Sequence, residues 1–494
     1  METHEELVAN ISATVKAFFR HKQSFRIFHG STNTTRPTHG DRILDINALS
    51  NILKIDRQSS IAIVEPNVPM DRLIQATLAH GMILPIVMEF PGITVGGGYA
   101  GSAGESSSFK YGYFNQIVKS VEIILGNGES ENADLFNGAA GALGTLGITT
   151  KLEIRLIPSK RFVKLTYHPY STTHDMIEAL REATENLDND YIDGIVFSNT
   201  HGILMTGKLT DEISPSIVPQ TFSGPWDPWF YLHVKKRPLR KKSTDYIPIA
   251  EYLFRYDRGG FWVGTRGFDY FSFVPFNRLT RWFLDDFMHT RVMYRALHGS
   301  NLSFGSIIQD LALPYDTIEE FIDYTTQEFG IWPLWLCPLR AVDSSTFHPC
   351  ATGLGQSGSP QPMLNVGLWG AASQDIDVFI RQNRNLEARL SQLGGRKVLY
   401  SHSYYTENEF WKIYDKKWYS SLRERYSATT LPTVYDKVKV DITMQLHTQH
   451  LPWFCRLKSL WPIPGLVGLW CAFRSKDYRT HKRLSWKLLD SKKS

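Results

Sequence analysis

Three segments rich in glycine, serine and threonine constrain this chain more than any other feature of its sequence. They span residues 28–36, 91–112 and 144–149, and each follows a stretch with strand or helix character. Glycine at this density lets the backbone approach a ligand closely. In the first segment, hydroxyl residues after Gly30 can form an anion-binding nest, although a polar turn is the simpler interpretation of that segment alone. Together the three segments predict a large, extended cofactor with a pyrophosphate in its middle.

Two shorter matches to G-x-G-x-x-G lie at residues 96–101 and 353–358. A dinucleotide fingerprint of this type requires a strand before it and a helix after it. Prolines follow the second match and a serine-rich run follows the first, so neither predicts a Rossmann site. No G-x-x-x-x-G-K-[ST] motif occurs, which argues against a P-loop.

Alternating strand patterns and amphipathic helical patterns recur along the 494 residues, which predicts an α+β fold. The length calls for more than one domain. The pattern restarts after residue 158, and from these breaks we divide the chain into four parts. They are a cofactor domain at 1–158, a substrate or cap domain at 159–396, a segment at 397–445 that closes on the cofactor site, and a basic aromatic tail at 446–494.

Beyond the glycines, motifs in both predicted domains resemble the Δ24-sterol reductase (diminuto/seladin) family of the vanillyl-alcohol-oxidase/PCMH-type flavoproteins. The resemblance covers roughly residues 24–440. It rests on residues 94–97, 105–112, 134–136, 144–147, 203–207, 210–212, 246–248, 332–338, 409–411, 422–423 and 434–437. The family implies a two-domain PCMH-type FAD-binding fold with an α+β cap domain. It also implies reduction of a carbon–carbon double bond by FAD, with NADPH as the electron source.

The resemblance places the cofactor-binding residues on the three segments. They are Gly30, Ser31, Thr32, Asn33, Thr34, Thr94, Val95, Gly96, Gly97, Gly104, Ser106, Ser107, Gly144, Gly147 and Ile148. Asn33 stands where other PCMH-type proteins carry a histidine bonded covalently to the flavin. An amide cannot form that bond, so we expect the FAD to be non-covalent.

Reduction of an alkene needs a proton donor near the flavin in addition to the hydride. The candidate catalytic residues are Glu105, Lys110, Tyr111, His402 and Tyr404. Each also has a structural interpretation, such as covering the flavin edge or packing in the core. Phe109 replaces a histidine that the family usually carries in this block, so a proton-donor role at that position is not expected.

Two other functions stay open at this point. One is an FAD-dependent oxidase or dehydrogenase of a specialised metabolite that passes electrons to oxygen. The other is a catalytically silent flavin-fold scaffold, which intact glycine segments disfavour. The expected partner is a lipophilic small molecule that is sterol-, terpenoid- or polyketide-like. A net charge of +5 does not indicate nucleic-acid binding, and four cysteines without a C-x-x-C pair predict no metal site.

The tail differs in charge from the rest of the chain. Residues 451–494 contain 10 Lys or Arg against 2 Asp or Glu, and residues 460–473 are apolar with two tryptophans and two prolines. That stretch is too short to span a bilayer, but its composition suits lying on an anionic membrane. A packed C-terminal segment is the alternative. With no signal peptide apparent, we expect an intracellular protein, either cytoplasmic or peripheral on an endomembrane such as the endoplasmic reticulum.

Overall fold

The computed structural model describes residues 2–30, 42–129, 133–300, 305–342, 346–349, 360–441 and 460–483. The strands are β1 Phe25–Phe28, β2 Arg42–Asp45, β3 Ile52–Asp56, β4 Ile61–Val64, β5 Met82–Ile83, β6 Val118–Ile124, β7 Ile148–Arg155, β8 Ile157–Pro158, β9 Phe162–Tyr170, β10 Tyr191–Ser198, β11 His201–Thr210, β12 Ser243–Pro248, β13 Ser306–Pro314, β14 Leu334–Leu339, β15 Met363–Ala371 and β16 Arg396–Lys397. The helices are α1 His4–Arg20, α2 Met70–Ala79, α3 Val95–Ala100, α4 Ser108–Tyr111, α5 Ala133–Ala139, α6 Thr173–Glu185, α7 Phe230–Lys235, α8 Ile249–Leu253, α9 Thr265–Tyr270, α10 Arg278–Phe283, α11 Thr290–Ser300, α12 Ile318–Glu328, α13 Ile376–Gln392, α14 Glu407–Ile413, α15 Lys416–Arg425, α16 Val434–Val438 and α17 Ile463–Ser475. The predicted α+β class is confirmed.

The N-terminal third of the chain is built on small sheets. An antiparallel sheet has the order β3-β4-β7-β6, while β1 and β2 form a parallel pair and β5 and β8 an antiparallel pair. Helix α1 begins with a capping box between Thr3 and Glu6. Its first residue, His4, bridges Glu65 and Glu122, which joins the helix to the sheet.

One eight-stranded antiparallel sheet dominates the remainder, with the order β12-β9-β11-β10-β14-β15-β13-β16. Helices α6, α12 and α13 cover one face, where apolar side chains of the strands and helices form a buried cluster. Because side chains alternate along a strand, the opposite face of β13 presents Ser306, Ile308 and Asp310. That face lies towards the glycine segments and shapes the cavity described below.

The segment after β16 packs on the third glycine segment. Tyr419 donates its hydroxyl to Thr145 Oγ1 at 2.8 Å, Arg423 donates to the Thr145 carbonyl at 2.9 Å, and Lys437 donates to the Leu143 carbonyl at 2.6 Å. The last helix, α17, packs against α11. The bounds of the four predicted domains remain a prediction.

Candidate functional site

A cavity of about 700 Å³ lies between the glycine segments and the large sheet. Its first wall is almost free of side chains, since consecutive residues from Ala100 to Gly104 line it together with Gly96 and Gly97. The opposite wall is aromatic. Phe261, Trp335 and Trp369 form a cluster there, with ring centroids 4.5–5.9 Å apart.

The first wall owes its shape to close backbone packing. Thr94 caps helix α3 by accepting from the Gly97 N–H, and a Cβ added to Gly96 would stand 2.7 Å from Cβ of Pro66. Gly144 closes the wall with a positive φ of 68°, which disfavours other residues. A Cβ there would have one neighbour within 4 Å, Cδ1 of Ile27 at 3.4 Å. Ile27 also lines the cavity, so that Cβ would occupy cavity space.

Four carboxyl groups line the cavity: Glu89, Glu105, Asp269 and Asp310. Burial raises the pKa of Glu89 to about 7 against the opposing charge of Arg255. Burial, and then the charges of Glu89 and Asp310, raise the pKa of Glu105 well above its usual range. Burial also raises the pKa of Asp310 to about 6, opposed by hydrogen bonds from Asn365 and Tyr400. Carboxylic acids that hold a proton near neutral pH can serve as general acids.

A buried ion network centred on Arg255 contacts Glu89. Arg255 Nη2 lies 2.8 Å from Glu89 Oε1 and donates to Asp193 Oδ2 at 2.9 Å. Asp193 also accepts from the Tyr256 hydroxyl at 2.8 Å and from Trp335 Nε1 at 3.1 Å. The network therefore fixes both a cavity carboxyl and a cavity tryptophan.

Of the five candidate catalytic residues, the structure brings Glu105 to the cavity. Lys110 instead points to the outside, where Nζ donates to Asp190 at 2.9 Å, and Arg155 lies over the ring of Tyr111. His402 accepts from Lys397 through its carbonyl, and the ring of Tyr404 packs near Phe379. These four residues lie outside the cavity lining, and their catalytic role stays a prediction.

The predicted cofactor residues divide in a similar way. Thr94, Gly96, Gly97, Gly104, Gly144 and Gly147 line the cavity. Gly30 lies at the end of β1 with a positive φ of 73°. Val95 and Ile148 are buried behind the wall, the Ser106 carbonyl accepts from the Ile192 N–H, and the Ser107 hydroxyl donates to the Pro85 carbonyl. Ser31, Thr32, Asn33 and Thr34 lie outside the described residues.

Sequence reasoning missed Glu89, Asp310 and Tyr400. The signal was present for Asp310, a lone acid within the apolar strand β13. A charged side chain in a buried strand destabilises the fold unless it is paired or hydrogen-bonded, so a lone acid there is a candidate for a functional site. Phe109, which stands in place of the family's histidine, is buried in the apolar cluster that helices α6, α12 and α13 cover.

Comparisons with known proteins identify the cofactor. A family model described as an FAD binding domain matches residues 6–134. The Δ24-sterol reductase of Rattus norvegicus is 28% identical over 407 residues, covering 79% of this chain and 76% of the relative. That of Arabidopsis thaliana is 26% identical over 436 residues, covering 80% and 76%. Cytokinin dehydrogenase 4 of Oryza sativa subsp. japonica matches 27% of this chain and 26% of its own length at 31% identity.

The chain is an FAD-dependent oxidoreductase related to the Δ24-sterol reductases. The structure fits FAD, because a wall almost free of side chains lies between the glycine segments and the large sheet. Gly96, Gly97, Gly104 and Gly144 would hold the cofactor against their backbone. When bound, FAD supplies hydride transfer.

We expect the FAD of this flavoprotein to dissociate on denaturation, because Asn33 offers no nucleophile for a covalent bond. Acid precipitation should leave the yellow colour in the supernatant, as measured by its absorbance after centrifugation. The Asn33→His variant is the matched comparison. Yellow colour that stays with the precipitated wild-type chain would contradict the prediction.

Proposed function

We propose that this protein reduces a carbon–carbon double bond of a lipophilic substrate, with NADPH as the source of electrons. The observation that carries the proposal is the placement of Glu105, a carboxyl group whose pKa is raised well above its usual range, in a cavity between a glycine wall and an aromatic wall. An apolar, ring-lined chamber suits a large hydrocarbon, and the acids supply the proton that alkene reduction needs. The names of the relatives support a sterol-like substrate with a Δ24 double bond.

In this proposal Glu105 holds the transferred proton. It follows Gly104 directly in the loop that forms the glycine wall, and its pKa lies well above its usual range, so it stays protonated when Asp310 has begun to ionise. Asp310, on the facing strand β13, is a second candidate acid whose pKa burial raises to about 6, and it lies next to Tyr400. Phe261 and Trp369 orient the substrate and exclude water from the acids.

The test is anaerobic turnover with NADPH and a panel of unsaturated lipids that includes a Δ24-sterol. We expect a product heavier than its substrate by two hydrogen atoms, detected by mass spectrometry. The saturated counterpart of each lipid is the control. A protein that gives no reduced product, but oxidises an alcohol or amine when oxygen is admitted, would refute the proposal in favour of the oxidase.

We also propose peripheral membrane contact through the C-terminal segment. Among the described residues, no helix has both the length and the apolar character that crossing a bilayer requires. Arg474 and Arg479 are exposed at and beyond the end of α17. Cationic side chains close to an anionic surface contribute about 1 kcal/mol each, and salt screens this contribution.

Reversing both charges, Arg474→Glu with Arg479→Glu, should weaken binding to phosphatidylserine-containing vesicles by about 30-fold or more at low salt. Co-sedimentation measures this effect. The pair Lys235→Glu with Lys236→Glu makes the same charge change elsewhere on the surface and should leave binding unchanged. Equal losses in the two pairs would show that net charge, rather than the C-terminal segment, governs the contact.

A further inference from the structure

Helix α17 buries its small residues and exposes its large apolar side chains. Its buried side carries the small residues Gly465, Gly468 and Ala472 and packs against α11 and the Tyr270–Phe271 segment, while Leu466, Leu469, Trp470 and Phe473 are exposed. Trp470 is 58% exposed. A surface helix in water normally buries its large apolar side chains, so this arrangement indicates an apolar environment outside the helix.

The small residues allow the two helices to approach very closely. A Cβ on Gly468 would stand 2.6 Å from the Ala296 carbonyl oxygen, and a Cβ on Gly299 would stand 2.7 Å from Cβ of Cys471. Packing through small residues is typical of helix pairs whose outer faces meet lipid. Polar contacts hold the end of the segment, since Arg295 Nε donates to Asp477 at 2.8 Å and Lys482 Nζ donates to Asp286 at 2.6 Å. The orientation of α17 is therefore fixed, with its large side chains outward.

A second apolar element lies beside α17. The Tyr270 carbonyl accepts a hydrogen bond from Trp461 Nε1 at 2.8 Å, and the Tyr270 hydroxyl accepts one from the Gly465 N–H at 3.2 Å. The next residues bring Phe271 and Phe273 to the same side, with ring centroids 6.0 Å apart. Phe273 is 71% exposed. We call Phe273, Trp461, Leu466, Leu469 and Trp470 the apolar rim.

The apolar rim adjoins the cavity. Gly465, Leu469 and Ala472 line the cavity together with Tyr270 and Phe271. Leu469 is also 39% exposed, so one side chain belongs both to the cavity wall and to the outer surface. The glycine wall lines the same cavity. Leu469 therefore connects the lining of the cavity with the exposed rim.

We propose that the apolar rim is a portal through which the lipophilic substrate passes directly from a lipid bilayer into the cavity. The inference rests on the proposed function for the nature of the substrate. A bilayer is favoured as the occupant because exposed cations, including Arg474, lie next to the rim and match anionic headgroups. Helix α17, with 13 residues, lies in the interface under this proposal instead of crossing it.

The decisive variant is Leu466→Glu with Trp470→Glu. It places two charges on the rim, and neither substituted residue lines the cavity. Its matched control is Leu187→Glu with Val218→Glu, two side chains that are 78% and 87% exposed elsewhere. FAD content verifies that both proteins fold. Each protein is assayed for co-sedimentation with phosphatidylcholine–phosphatidylserine vesicles at high salt, where the apolar part of binding remains.

We expect the rim variant to lose vesicle binding by about tenfold or more, and the control to bind like the wild type. Turnover of a substrate delivered in vesicles should show a KM raised to a similar extent. Turnover of the same substrate delivered in cyclodextrin should stay within about twofold, because the cavity is intact. Vesicle binding retained by the rim variant would overturn the proposal, as would equal losses by both delivery routes.

Other occupants give different results. If a second copy of the chain covers the rim, light scattering will show a dimer that the rim variant dissociates, with no vesicle binding by the wild type, and the bilayer portal is overturned. Failure of the proposed function, the reduction of a double bond, gives results that differ from failure of the portal. In that case the wild type reduces none of the lipids, while vesicle binding still distinguishes the rim variant from its control.

Discussion

Replacing Glu105 by glutamine should lower turnover per bound FAD by about 10²- to 10⁴-fold, the usual contribution of a positioned general acid. Glutamine has nearly the same shape, so FAD content should stay close to that of the wild type. The rate of flavin reduction by NADPH should also be retained, because that step does not use the proton of Glu105. The measurement is steady-state turnover combined with single-turnover kinetics of each half-reaction.

Glu65→Gln is the control, since Glu65 is a buried carboxyl that binds His4 and Asn51 away from the cavity.

Asp310→Asn tests the second acid. A donor acts only when protonated, so activity falls as pH rises through its pKa. A fall centred near pH 6 that disappears in the Asp310 variant would assign the donor to Asp310, whereas a fall at higher pH supports Glu105.

Replacing Arg255 by methionine should lower the free energy of unfolding by about 3–5 kcal/mol. The substitution removes the cation that pairs with the buried carboxyl groups of Glu89 and Asp193. Glu89 and Asp193 would remain buried with their charges uncompensated. Urea unfolding followed by circular dichroism measures the change. Arg161→Met, at an exposed pair with Asp211, should change the stability little.

Adding Glu89→Gln to the Arg255 variant separates charge from shape. If the uncompensated carboxylate causes the loss, the double variant should regain part of the stability. A double variant as unstable as Arg255→Met alone would indicate that packing of the guanidinium against Tyr252 and Tyr256, rather than its charge, stabilises this wall.

The sequence was sufficient to predict the glycine wall, because glycines at 96, 97, 104 and 144 act through local backbone geometry. It was also sufficient for the α+β class, since strand and helix periods are local patterns. It was insufficient for the acids. Asp310 approaches Glu105 only because β13 lies inside an eight-stranded sheet whose order depends on pairings between distant segments.

The four candidates that lie outside the cavity lining show the same limit. Lys110 and Tyr111 belong to the same sequence block as Glu105, 105–112, but in helix α4 they contact Asp190 and Arg155. The tail illustrates another limit. Its apolar composition left membrane contact and packing as alternatives, whereas α17 presents one face to α11 and the other outward, so its position in the fold was needed to separate the two faces.

The most direct test of the account is rapid anaerobic mixing of the purified yellow protein with NADPH, followed by mixing with an unsaturated lipid. The account predicts that NADPH bleaches the flavin absorbance and that the unsaturated lipid restores it, whereas the saturated counterpart does not. Flavin that NADPH leaves oxidised, or reduced flavin that oxygen reoxidises but no unsaturated lipid does, would contradict a double-bond reductase.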